Sequence, residues 1–230
     1  MDIVKKANSS YELYNEDQKK RTKINTLDDL YPPLPDQRYS IIYADPPWDY
    51  GGKMQFDRSG LKDQNDGWHK KIFISSASFK YPTLKLSELK KLPLSSISED
   101  DALLFMWTSN PHLAQAIELG HSWGFDYKTV AFIWDKMVHN PGQYTLSYCE
   151  ICLLFKKGRI PKPRGARNIK QILHEKRGPH SAKPAEIRNR IHQMFPSQKK
   201  VELFSRGNFE HWDSWGYEIG DDCSLKSAES

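Results

Sequence analysis

An α/β domain built on a largely parallel sheet is what this sequence predicts, on three observations. Short apolar runs of strand length recur along the chain: SIIYA (40–44), ALLFMW (102–107), TVAFIW (129–134), CEICLLF (149–155) and KVELF (200–204). Some alternate weakly and some are nearly continuous, the pattern of a sheet covered on both faces. Helical patterns separate several of the runs, and strand–helix–strand alternation favours parallel pairing. The 230 residues, 38% of them hydrophobic, suffice for one sizeable core and no more than one domain with tails.

In chain order, residues 1–25 are polar and of mixed charge, and are expected to form a tail or a short peripheral helix. The domain is expected over 26–222, followed by a small, polar, disordered tail at 223–230. YPPLP (31–35) is a stiff extended connector into the first buried strand. In NPHLAQAIELGHSWG, Asn110 can cap, Pro111 suits the first helical position, and Leu113, Ile117 and Leu119 supply a face. In SAKPAEIRNRIHQMFP, Pro184 suits the first helical position, Ile187, Ile191, Met194 and Phe195 form the buried stripe, and Pro196 follows the stop. Residues 51–80 and 136–147 read as long loops at the carboxyl ends of strands, where open α/β sheets bind ligands.

Composition excludes several classes. Seven tryptophans argue against global disorder, and no apolar run reaches membrane-spanning length. MDIVKKANSS lacks a signal-peptide core, so a soluble protein in a reducing, cytoplasmic compartment is expected. Three cysteines cannot form a disulfide framework. The CxxC pair Cys149/Cys152 falls in a strand pattern, where residues three apart face opposite sides, and no second pair completes a tetrahedral metal site. The net charge of +5 is a mild bias, but from Lys156 to Arg190 twelve bases stand against two acids. Much of that run, KKGRIPKPRGAR, is too rich in Pro and Gly for a regular helix. It reads as a phosphate-tracking arm, with Lys162, Arg164 and Arg167 as candidate nucleic-acid contacts.

The most informative stretch is YSIIYADPPWDYGG (39–52), a buried strand that ends on a carboxylate. Pro46 and Pro47 fix two successive φ angles and remove two N–H donors, so the backbone there offers carbonyls held in set directions. Trp48 adds a flat apolar face. A carboxylate, a rigid carbonyl and a stacking surface within four residues complement an exocyclic amine on a heteroaromatic base.

With ADPPW, the sequence resembles the MT-A70 family of adenine-N6 methyltransferases, in the compact form found in bacteria and phages. The resemblance spans about residues 38–219 and includes YPTL, LLFMWTSNP, TVAFIWDK, EICLLF, HSAKPAEI and VELFSR, in order. It implies a Rossmann-like methyltransferase fold with helices on both faces and a permuted motif order, and S-adenosyl-L-methionine as cofactor; the cysteine spacing has already argued against a metal. It implies that Asp45 and the Pro46 carbonyl, within the catalytic set Asp45, Pro46, Pro47 and Trp48, accept hydrogen bonds from the target amine. Trp48 and Tyr81 would line the base pocket. Lys183, ahead of a helix N-terminus, would meet the methionine carboxylate. Glu202 and Arg206 would contact the cofactor ribose and tail, Glu218 would add a further cofactor contact, and Asp45 would also receive the cofactor's amino group.

Departures are Lys80 before Tyr81, Tyr217 where the family has Asn, and Asn208 for a histidine. None touches DPPW. DNA is the expected substrate. The same chemistry on RNA, a non-catalytic nucleic-acid-binding partner and a small-molecule methyltransferase are the alternatives, and the oligomeric state, monomer or homodimer, is left open.

Overall fold

The computed structural model describes residues 25–49, 82–140, 144–178, 182–217 and 219. The expected tails apart from Asn25, the loop 51–80, Tyr81 and Glu218 lie outside the described residues. A seven-stranded sheet has the order β5-β3-β4-β2-β1-β6-β7. Its strands are β1 (Tyr39–Ala44), β2 (Ser98–Thr108), β3 (Asp126–Asn140), β4 (Ser147–Lys157), β5 (Ile172–His174), β6 (Lys200–Leu203) and β7 (Asp213–Trp215). The helices are α1 (Leu27–Leu30), α2 (Leu86–Leu89), α3 (Leu94–Ile97), α4 (Leu113–Ser122) and α5 (Ala185–Met194).

The sheet is mostly parallel, as expected. β1 pairs parallel with β2 and β6, β6 with β7, and β3 with β5. β4 is the reversed strand, antiparallel to both β2 and β3. The reason is local. Only a loop pattern separates the TVAFIW and CEICLLF runs, so the chain turns back as a hairpin rather than crossing over through a helix.

Alternation along β1 sends Ile42 and Ala44 to one face and Ile41 and Tyr43 to the other. The first face packs against Ala116 and Leu119 of α4, the second against Ile187 and Ile191 of α5, so helices cover both sides. α4 lies so close to β4 that a Cβ on Gly120 would come within 2.2 Å of the Phe155 ring. Cys152 is buried on the α5 face, and no metal-binding group of His, Cys, Asp or Glu occurs among the described residues.

Two helix starts differ from the sequence reading. Pro111 sits in a 3-10 turn, Asn110–His112, with Ser109 at its cap, and the α-helix proper begins at Leu113. Pro184 occupies the cap position itself, and the helix begins at Ala185. The YPPLP connector is pinned to the sheet, because the Trp215 indole N–H donates to the Pro32 and Pro33 carbonyls at 3.0 and 3.2 Å.

Candidate active site

From β1 the chain leaves toward β2 through α2 and α3, which pack on the α4 face, whereas β6 on the other side of β1 is reached through α5 on the opposite face. The carboxyl end of β1 is therefore a topological switch point, the place where open α/β sheets form a crevice. Ala44 pairs with Leu203 and Met106 there, so Asp45 stands beside Phe204, Ser205 and Arg206. The reversed β4 brings its amino end to the same edge, with Ile151 opposite Thr108.

The DPPW turn is held on all sides. The Pro46 carbonyl accepts the Trp48 N–H at 2.9 Å and the Pro47 carbonyl accepts the Leu84 N–H at 2.8 Å. A carbonyl has two lone pairs, and the Trp48 bond uses one of those on Pro46. The Trp48 ring is 5% exposed and donates through its indole N–H to the Trp107 carbonyl at 3.3 Å. It stacks on His112 at 5.6 Å and 16°. His112 Nδ1 bonds Ser109 Oγ at 2.8 Å, and its Nε2 faces the Asp49 carbonyl at 3.4 Å. Burial holds the His112 pKa below its ordinary value, so a neutral imidazole braces the indole.

Asp45 opens an alternating chain of charge. The Lys183 ammonium donates to Asp45 Oδ2 at 2.7 Å and lies 3.3 Å from Glu150 Oε2. Glu150 Oε1 in turn accepts from the buried Lys136 at 3.3 Å. Lys183 immediately precedes the cap of α5, so its ammonium reaches Asp45 from the positive end of the helix dipole. Burial pushes the Glu150 carboxyl up, but Lys183 and Lys136 together outweigh it and hold it below the usual carboxylate range. A carboxylate with a depressed folded-state pKa contributes stability above its unfolded value that is lost as pH falls through the folded one. Glu150→Gln is thus expected to flatten the fall of Tm below pH 4.5, the ordinary value, and to leave its shape above that pH unchanged. Superimposable acid limbs in the wild type and the variant would refute the coupling.

Beside Asp45 a shallow depression is lined by Tyr31, Pro47, Phe204, Ser205, Arg206 and Tyr217, among others. Phe204 adopts a left-handed backbone, φ 60°, and its ring meets Tyr31 and Trp215 edge-on at 5.4 Å each. Such a non-glycine outlier at a strand end is a common mark of a functional turn. Gly216 closes the wall: a Cβ there would lie 1.9 Å from the Ser205 carbonyl oxygen.

The structure thus brings Asp45, Pro46, Pro47, Lys183 and Arg206 to one edge, with Trp48 buried beneath. Glu202 is placed differently from a ribose contact. It is buried, and both of its oxygens are engaged by Arg188, Nη2 to Oε1 at 2.8 Å and Nε to Oε2. Lys162 and Arg164 do not join the site. Gly165 and Ala166 bond the carbonyls of Met194 and Gln193, at the end of α5 away from Lys183, and the Arg164 guanidinium packs over the Phe195 ring at 5.7 Å. Glu150 and Lys136, which sequence reasoning missed, complete the charge network. The one signal for Glu150 was an acid inside an apolar strand.

Residues 39–218 match the MT-A70 family model. The chain is also 60% identical over 213 residues, 93% of its own length and 91% of the relative's, to the type II methyltransferase M.MunI of Mycoplasma sp. The match runs from the first residue of β1 to beyond β7, over a Rossmann-like α/β sheet with DPPW at its switch point, and this chain belongs to the MT-A70 family.

Proposed function

We propose that this methyltransferase-family chain transfers a methyl group from S-adenosyl-L-methionine to N6 of adenine in DNA. The observation that carries the reading is the rigid acceptor pair, the Asp45 carboxylate and the Pro46 carbonyl, at the switch point with Lys183 alongside. The donor set fits the cofactor: an ammonium at a helix start suits a carboxylate, Tyr31 and Phe204 offer aromatic surface, and Arg206 lines the rim. When bound, the cofactor supplies an electrophilic methyl on a sulfonium.

Adenine N6 is a poor nucleophile because its lone pair is delocalised into the ring. Asp45 accepts one N–H and the free lone pair of the Pro46 carbonyl accepts the other. Two acceptors on one nitrogen draw it toward a tetrahedral shape and localise the pair for in-line attack. The cofactor would supply the methyl group to that pair, and its sulfur would keep the electrons of the C–S bond. The nitrogen then carries a surplus proton, and Asp45 is the nearest base to take it. The Lys183 hydrogen bond holds the Asp45 carboxylate in place before that step. The closed turn, with Trp48 packed beneath it, prevents the two oxygens from drifting apart.

The preference for DNA rests on the type II methyltransferase relative and on the basic surface of the chain. Incubating the protein with methyl-tritiated cofactor and matched DNA and RNA oligomers, then digesting to nucleosides, tests both halves. N6-methyladenosine of the deoxy series is expected. Label on cytosine, or on RNA alone, would overturn the reading.

A further inference from the structure

The direction of β4 decides which basic residues can reach a substrate at Asp45. Its carboxyl end pairs with the start of β2, Lys157 opposite Ala102, so the stretch that follows begins at the far edge of the sheet. Arg159 is tied there, its N–H bonded to Asp101 Oδ1 at 2.7 Å. The backbone at 165–166 is tied to the last turn of α5, and a ten-residue helix puts that turn about 15 Å from the Lys183 end. The chain then returns through β5, parallel to β3 with His174 opposite Asp135. That return delivers the exposed Lys176 and Arg177 to the Asp45 edge.

The same edge carries an irregular hairpin. Between the pairs Asp135–Cys149 and Asn140–Ser147, residues 136–139 of β3 face the single residue 148 of β4. The bulge is set by Asp135, whose Oδ1 accepts the Met137 N–H and whose Oδ2 bonds His174 Nδ1, each at 2.9 Å. Met137 takes a left-handed φ of 57°. The outcome is a cluster of exposed apolar side chains: Met137 60%, Tyr144 92%, Leu146 55% and Tyr148 45%. Bulges beside active sites commonly re-aim side chains in this way. No acid occurs from 136 to 148. Of the two carboxylates at the hairpin base, Asp135 is hydrogen-bonded by His174 and the Met137 N–H, Glu150 is paired with Lys136 and Lys183, and Glu175 stands beside the basic pair. The hairpin is also joined to the DPPW support, since Asn110 Nδ2 donates to Ser147 Oγ at 3.4 Å two residues from His112.

We infer that this edge is the DNA-facing surface: Lys176 and Arg177 hold phosphates, and Met137, Tyr144 and Tyr148 press an apolar wedge against the base stack beside the adenine drawn to Asp45. Lys162, Arg164 and Arg167 stay off the substrate. The inference rests on the DNA reading above. Extracting one base from a duplex leaves a gap, and apolar or aromatic side chains placed beside the site fill it and hold the distorted stack. A hairpin without acids from 136 to 148, flanked by Lys176 and Arg177 and on the same sheet edge as the acceptor pair, suits that polyanion better than a second copy of a protein.

The test uses the full chain and a duplex carrying its methylated site, once that site has been mapped by methylation sequencing, with the target adenine either paired or opposite a mismatch. Lys176→Ala/Arg177→Ala is expected to reduce the slope of log K against log salt by about 1.8, two phosphates' worth, and Lys162→Ala/Arg167→Ala to leave it unchanged. Tyr144→Ala/Tyr148→Ala is expected to lower turnover on the paired duplex at least about tenfold and to recover on the mismatched one, where extrusion is already part-way done. The inference is overturned if the slope is lost in the Lys162/Arg167 variant instead, if the tyrosine variant is equally impaired on both duplexes, or if sedimentation shows that it dissociates a dimer. A wild-type chain that methylates RNA but no duplex would instead overturn the proposed function itself.

Discussion

Asp45→Ala is expected to lower methyl transfer at saturating cofactor by about a hundred- to a thousandfold, the scale seen when one pre-organised polar partner of a transition state is removed. The effect is large because the two acceptors act as a unit. Pro46 alone can bond only one hydrogen of the amine, which leaves the lone pair in the ring, and the substitution removes the carboxylate that takes the surplus proton. Glu150 cannot substitute, since it is already held by Lys136 and Lys183. The fold is expected to survive, because Lys183 keeps Glu150 as a partner and the turn is fixed by main-chain bonds at Pro46 and Pro47. A change of about 1 kcal/mol moves Tm by roughly 2–4 °C in a chain of this size, so thermal unfolding separates a chemical defect from a collapse. Asp45→Asn, which keeps the shape and one acceptor but not the charge, is expected to fall between the wild type and the alanine variant. Normal turnover by Asp45→Ala would remove the carboxylate from the mechanism.

Much of this site was legible in the sequence, and the limits were physical. The strand SIIYA and its DPPW ending show as an apolar run stopped by two prolines, a purely local signal. Lys183 shows as a lysine ahead of a helix start, again local. Their pairing, across 138 residues, is a product of topology that no spacing encodes. The basic run from Lys156 was legible as charge but not as location, because location depends on the direction of β4. That direction follows from the antiparallel pairing of β3 and β4, whose connecting sequence is too short for a crossover helix. β5 and β7, three residues each, are too short to carry a period. Arg188 was one base among twelve, and nothing in the sequence singled it out as the residue that turns inward.

That inward turn yields the second large effect. Arg188 on α5 and Glu202 on β6 are 9% and 5% exposed, and the guanidinium also lies over Phe209 at 3.7 Å. Burial disfavours the charge on Arg188, but the Glu202 carboxylate outweighs it and holds the Arg188 pKa above its ordinary value. Two charges out of water survive only as a pair. Arg188→Met leaves a carboxylate buried without a partner and is expected to cost about 3–5 kcal/mol, read as a shift in the urea midpoint. Adding Glu202→Leu removes the stranded charge, and the double variant is expected to recover most of the loss, since apolar replacement of a buried pair is often close to neutral. A single variant as stable as the wild type, or a double variant as weak as the sum of the singles, would refute the pairing argument. The double variant also decides what Glu202 is for. The family resemblance places this residue at the cofactor ribose, whereas both of its oxygens are occupied by Arg188. An internal counter-ion can be replaced together with its partner without touching the ligand. Calorimetry on the double variant is therefore expected to find S-adenosyl-L-methionine binding retained, and loss of binding in a refolded, stable protein would return Glu202 to the cofactor.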